Sequence, residues 1–186
     1  MAQKTYIVTA TSAEDAVKKI KAIRAKDAPI LEPTEANFKK FINEAKRVIN
    51  EVKLDDLSSK FNDVQNDIQF KVVALLDDSA TTGNIWWDFK KILEQNGADA
   101  DIDMVKKNYE DFIDLFAKFK DKYVKAGEGL ADDKNKKTVT GSWKNWFEKA
   151  IDRAKANLEA CYKDAKDRKE KLEEKANATK KYNTTK

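Results

Sequence analysis

Four carboxylates, Asp99, Asp101, Asp103 and Glu110, stand at the first, third, fifth and twelfth positions of a loop that could wrap a calcium ion. Such a loop turns sharply at its sixth position, where glycine is needed, and here that position holds Met104. The eighth, normally apolar, holds Lys106. Without the turn the oxygens do not converge, so the three aspartates are expected to cap and charge a helix start, and no metal is assigned.

The remaining acid–base candidates are weaker. Asp55-Asp56, Asp77-Asp78, Glu110-Asp111 and Asp132-Asp133 are adjacent pairs, and neighbours on a helix point about 100° apart, so neither member helps the other. The 186 residues contain no histidine and one cysteine, Cys161. A Ser, Thr or Cys nucleophile therefore lacks its usual base, and Glu-x-x-His metal pairs are impossible. Cys161 is expected to be a small apolar helix residue, with no internal disulfide available to it. Gly127-Glu-Gly129 lacks the lysine and helix start of a phosphate-binding loop. Neither catalysis nor a cofactor is expected. Nothing in these motifs is specific enough to name a family.

The aromatic residues carry more information. Trp86 aligns with Phe89 and Leu93 on one helix face, which leaves its neighbour Trp87 among Lys90, Lys91 and Glu94. A stranded indole either lies over a neighbouring loop or anchors a partner. Phe70 and Leu115 also fall off their apolar stripes and join Trp87 as partner-binding candidates. Phe38, Phe41, Phe61, Phe112, Phe116, Phe119 and Phe147 are many rigid rings for one core. If they nested imperfectly they would line a cavity for a fatty acid or another apolar ligand.

These side chains need helices to position them. Five Gly and two Pro supply too few reversals for an all-β chain. Ser12 caps a first helix with Ala16, Val17, Ile20 and Ile23, ended by Pro29. A second starts at Pro33 and Thr34 and carries Phe38, Phe41, Ile42, Ala45, Val48, Ile49 and Val52 on one stripe. A third follows Leu57, Phe61, Val64, Ile68, Val72 and Leu75 to about Leu76. Asn84 is expected to cap a short fourth helix ending at Gly97, with Ile85, Trp86, Phe89, Ile92 and Leu93 inward.

A fifth opens at Asp99 or Asp101 and buries Ile102, Val105, Tyr109, Phe112, Ile113, Phe116, Phe119 and Tyr123. Lys125 to Gly141 reads as the longest loop. A last helix starts at Ser142, with Trp143, Trp146, Phe147, Ala150, Ile151, Ala154, Leu158, Cys161, Tyr162 and Ala165 inward. Two segments, Thr5 to Ala10 and Phe70 to Leu75, also have strand composition, so a two-stranded ribbon is the alternative for them. The expected fold is an all-α, single-domain bundle of five to six amphipathic helices with a long C-terminal helix. An extended segment occupies residues 1–11, the bundle 12–172, and a fraying polar tail 173–186.

Composition fits one domain: 41% of residues are hydrophobic and 38% charged. Net charge is +4, distributed as 11 basic against 7 acidic residues up to position 53, 10 against 18 to position 133, and 16 against 8 thereafter. Acids interrupt the basic C-terminal third, and its only arginines are Arg153 and Arg168, so binding to nucleic acid or a membrane surface is the weakest expectation. No apolar run reaches the roughly 18 residues of a membrane span, and the start is too short in apolar residues for a signal peptide. A soluble chain is expected, intracellular, or exported if Met1 was added ahead of a mature sequence. Asn177 and Asn183 begin glycosylation triplets that matter only in an exported chain. The leading expectation is a non-enzymatic protein that binds another protein, as an adhesin, scaffold or inhibitor, through a helical face or the 125–141 loop. The carrier role is the alternative.

Overall fold

The computed structural model describes residues 32–184. The extended N-terminal segment and the helix expected from Ser12 lie outside them, as does the domain start placed at residue 12.

Helix α1 (Glu35–Glu51) begins where Thr34 Oγ1 accepts the Asn37 backbone N–H at 3.2 Å, closing one of the four open donors of a helix start. It buries Phe38 and Ala45, and Val52 follows just beyond its end. A 3-10 turn at Leu54–Asp56 leads into the second rod, built of α2 (Phe61–Asp67), a wider π segment at Ile68–Val73 and α3 (Ala74–Ser79). The strand alternative for Phe70 to Leu75 is thereby replaced by helix.

The π segment has a readable cause. Val64, Ile68, Val72, Leu76 and Ala80 are buried at uninterrupted steps of four residues. Each such step overshoots an α-helical turn by about 40°, and a wider turn takes up the excess so that the stripe stays aimed inward. Leu75, expected on the inner face, is displaced to half-buried by that shift.

Helix α4 (Thr82–Asn96) is capped by Thr81, whose Oγ1 accepts from Asn84 N at 3.2 Å. The expected cap at Asn84 is thus two residues inside the helix, and residues 77–79, beyond the end expected for the third helix at Leu76, are helical. The helix stops at Gly97, whose φ of 58° only glycine adopts without strain. Helix α5 (Ile102–Glu128) opens at Asp101, whose Oδ1 accepts from Met104 N at 2.9 Å. All eight side chains expected to face inward on α5 are buried.

The expected loop from Lys125 to Gly141 is mostly helix. Asp132 Oδ1 accepts from Asn135 N at 2.7 Å and starts α6 (Asp133–Lys137). That helix passes through a second π segment, Thr138–Trp143, into α7 (Lys144–Thr184). Only residues 129 to 132 separate the two rods. Gly127, within the stretch expected to be loop, sits inside α5, where an added Cβ would stand 2.3 Å from Val139 Cγ1. Glycine is required there for close approach, not for a turn.

The five rods form an all-α bundle with no strand among the described residues. Helix α5 runs through its centre, packed against α7 and α1, and α4 lies chiefly on α7. Phe119, Tyr123 and Phe147 close the core where α5 meets α7, with Trp143 and Trp146 half-buried at its edge. Past Leu172, α7 stays helical but carries no buried side chain through Thr179, in keeping with an apolar face that runs out there. No helix of the described residues is long and apolar enough to cross a membrane.

Candidate functional site

Helix geometry separates the adjacent tryptophans of α4. Trp86 is half-buried, while Trp87 is 41% exposed. Among the described residues only Phe70, at 59%, is another exposed large hydrophobic side chain. Leu115 does not join them: it is half-buried against the core, because α5 has neighbours around most of its circumference.

Trp87 is exposed but not loose. Lys90 lies three residues after it and four after Trp86, the two spacings that bring helical side chains together. Its Nζ stands 5.2 Å from the ring centroids of both indoles. Each indole face attracts the ammonium, worth about 0.5–1 kcal/mol at an exposed site. Glu94 Oε1, 3.6 Å from Lys90 Nζ, restrains the cation further. From α7, Asp164 Oδ2 accepts two bonds, one from Trp86 Nε1 at 3.2 Å and one from Arg168 Nε at 2.7 Å. The Arg168 guanidinium carbon lies 5.5 Å from the Trp86 ring centroid. The two helices thus hold a series of stacked groups, Trp87, Lys90, Trp86 and Arg168, on the molecular surface.

Below this surface, Tyr109 on α5 donates to Asp88 Oδ2 at 2.7 Å. Burial pushes the Asp88 carboxyl up to about 6, against the opposing influence of the Tyr109 bond and Lys91. Burial also pushes the Tyr109 hydroxyl well up, aided by the Asp88 charge. Phe38 meets the Tyr109 ring edge-on at 5.7 Å. The Asp88–Tyr109 pair therefore fixes α4 to the core one residue from the exposed indole.

The calcium-like pattern is distributed along α5. Asp101 caps the helix, Asp103 Oδ1 accepts from Tyr162 OH at 2.6 Å, and Glu110 Oε1 lies 3.6 Å from Lys106 Nζ. No group of three or more Cys, Asp or Glu among the described residues is placed to hold a metal ion. Cys161 is buried, its Sγ 3.5 Å from Thr82 O, and burial pushes the thiol up, away from a reactive thiolate.

The seven phenylalanines proposed to line a cavity lie in or against one core. Phe41 stacks on Phe112 at 4.6 Å, Phe112 meets Phe116 at 4.9 Å, and Phe119 meets Phe147 at 5.9 Å. Those spacings are ordinary for aromatic pairs in contact. Phe38 is buried and Phe61 half-buried against the same cluster. An open surface groove of about 480 Å³ is lined by Asp133, Lys134, Lys137, Thr138 and Ser142, all from one rod.

Sequence spacing alone pointed to Trp87, Phe70 and Leu115, and marked Lys90 only as one of the charged residues around Trp87. Asp164 and Arg168 were missed, although their four-residue separation marks them as an ion pair, because nothing local says which helix they face. Asn177 is exposed on α7, and Asn183 lies in its final turn.

The chain matches no protein-family model, no curated protein and no solved structure.

Proposed function

We propose that this chain is a non-enzymatic binding protein that meets another protein across the outer face of α4, with Trp87 as its anchor. The observation that carries this is the state of that indole: 41% exposed, yet held by a lysine shared with a second, half-buried indole. A rigid aromatic side chain loses little conformational freedom on binding, and charged neighbours provide the polar rim that surrounds an interface centre. The groups that chemistry would call on are otherwise engaged: Asp88 by Tyr109, Asp103 by Tyr162, and Cys161 by burial. Phe70, on the second rod, is a second candidate contact.

The test compares immobilised wild type with Trp87→Ala and Phe70→Ala. Retained proteins are identified by quantitative mass spectrometry, and their affinities are then measured with purified material. Trp87→Ala should leave the melting curve nearly unchanged and weaken the partner by about 30-fold, the effect of losing about 2 kcal/mol at an interface centre. Equal retention of every partner by wild type and Trp87→Ala would remove Trp87 as the anchor.

A further inference from the structure

Arg168 is oriented more completely than a surface ion pair requires. Its Nε edge is fixed by Asp164 at 2.7 Å, and its guanidinium carbon stands over the Trp86 ring at 5.5 Å from the centroid. Neither terminal Nη has a hydrogen-bond partner among the described residues, and the side chain is 51% exposed. A guanidinium held on one edge and placed over an indole, with its end-on fork open, is preorganised for a two-point bond to a carboxylate. Asp164 sits on the Nε edge, so it orients the fork without occupying it.

Lys171 follows Arg168 by three residues, a spacing that brings helical side chains together. Lys90 bridges Trp86 to the exposed Trp87, and its own acidic neighbour Glu94 is 62% exposed and only loosely paired. Following the stacked groups outward, an apolar knob and an open cationic fork lie on one surface, separated by a single indole and a lysine.

We infer that this surface recognises an acidic segment of a partner protein, with an apolar residue covering Trp87 and a nearby carboxylate engaging the Arg168 fork. The inference rests on the binding role proposed for Trp87 and adds the chemistry of the partner. Interleaved acids and a single open arginine suit this better than a phosphate backbone, which calls for an uninterrupted cationic track.

The experiment uses the full chain and fluorescein-labelled peptides in a Gly-Ser frame. Their cores combine Leu, Ile or Phe with several Asp or Glu, and each has counterparts carrying Asn/Gln or Lys instead. Fluorescence anisotropy should give the acidic members at least about a tenfold preference over their amide counterparts, as expected for a charge-assisted two-point bond. R168Q should abolish that preference. R168K, which keeps the charge but not the fork, should restore only a minor part of it. Trp87→Ala should weaken acidic and amide members alike.

Several results overturn the inference. Equal binding of amide counterparts, or a preference that survives R168Q, removes the acidic partner while leaving the Trp87 anchor intact. Unchanged affinities in Trp87→Ala remove the anchor and the inference with it. Displacement of the peptide by duplex DNA or by phosphatidylserine vesicles more readily than by polyglutamate, at equal charge, assigns the surface to a phosphate-bearing ligand. Absence of binding by every peptide overturns the acidic-segment inference and leaves the partner-retention test of Trp87 to stand alone.

Discussion

Replacing Gly127 by alanine should destabilise the bundle, although alanine is the better helix former. Gly127 lies inside α5, is buried and has no positive φ, so alanine suits its backbone and in an open site would gain about 1 kcal/mol. Here the new Cβ would stand 2.3 Å from Val139 Cγ1 and 2.6 Å from Val139 Cβ, well inside the roughly 3.5–4.0 Å of carbon contact. Rotation about χ1 can move Cγ1 but not Cβ, and Val139 is fully buried. The rods must therefore separate, and overpacking of this kind costs about 1–3 kcal/mol.

Because Val139 Cβ cannot rotate away, the clash falls at the upper end of that range, about 2–3 kcal/mol, and outweighs the helix gain to leave a net loss of about 1–2 kcal/mol. For a chain of this length that lowers Tm by about 3–6 °C. Gly141, also within a helical segment, has nothing within 4 Å of its added Cβ, so Gly141→Ala should raise stability by about 0.5–1 kcal/mol. Thermal melts and urea titrations followed by circular dichroism give both numbers. A Gly127→Ala variant as stable as wild type would refute the close crossing of α5 and the segment before α7.

Three further predictions follow from named groups. The folded-state value of Asp88 is raised from 3.8 to about 6, so its contribution to stability is complete below about pH 4 and is lost as pH rises through 6. Asp88→Asn keeps an acceptor for Tyr109, so it should match wild type near pH 4 and exceed it by up to about 3 kcal/mol at pH 7; a difference independent of pH would contradict the buried carboxyl. Asp132→Ala removes the cap of α6 and should cost about 1 kcal/mol in urea titrations, whereas a mobile loop at 125–141 would register no loss. A fluorescent fatty acid should show neither uptake nor perturbation of tryptophan emission, since the core rings lie against each other; saturable displacement by unlabelled fatty acid would restore the carrier alternative.

The sequence was informative where one face dominates a helix. On α5 seven inward side chains recur at alternating steps of three and four, close to the period of an α-helix, Ile113 adjoins Phe112, and all eight expected there are buried. Adjacent Trp86 and Trp87 were separable for the same reason. The structure departs from the sequence pattern where glycine, serine and threonine suggest breaks that the chain does not make. Gly127 and Gly141 lie in helical backbone, Thr81 rather than Asn84 starts α4, and Leu115 is covered by neighbours that its own stripe does not reveal. Composition states what backbone a residue tolerates; packing decides whether that freedom is used.

Both π segments left a signal that was available but unused. On the second rod, burial falls at residues 64, 68, 72, 76 and 80, and on the last rod Val139 and Phe147 are buried with Trp143 half-buried midway between them. Successive fours drift about 40° per step on an α-helix, so a straight rod would have rotated these side chains out of the core. A wider turn is the economical remedy, and in each rod it lies within the run of fours. Phe70 occupies the first of these turns, on the side away from the core. Its exposure is thus a consequence of the register change, whereas Trp87 is exposed in regular α-helix and held there by Lys90 and, through Trp86, by α7. That difference in support is why the anchor is assigned to Trp87 and not to the more exposed Phe70.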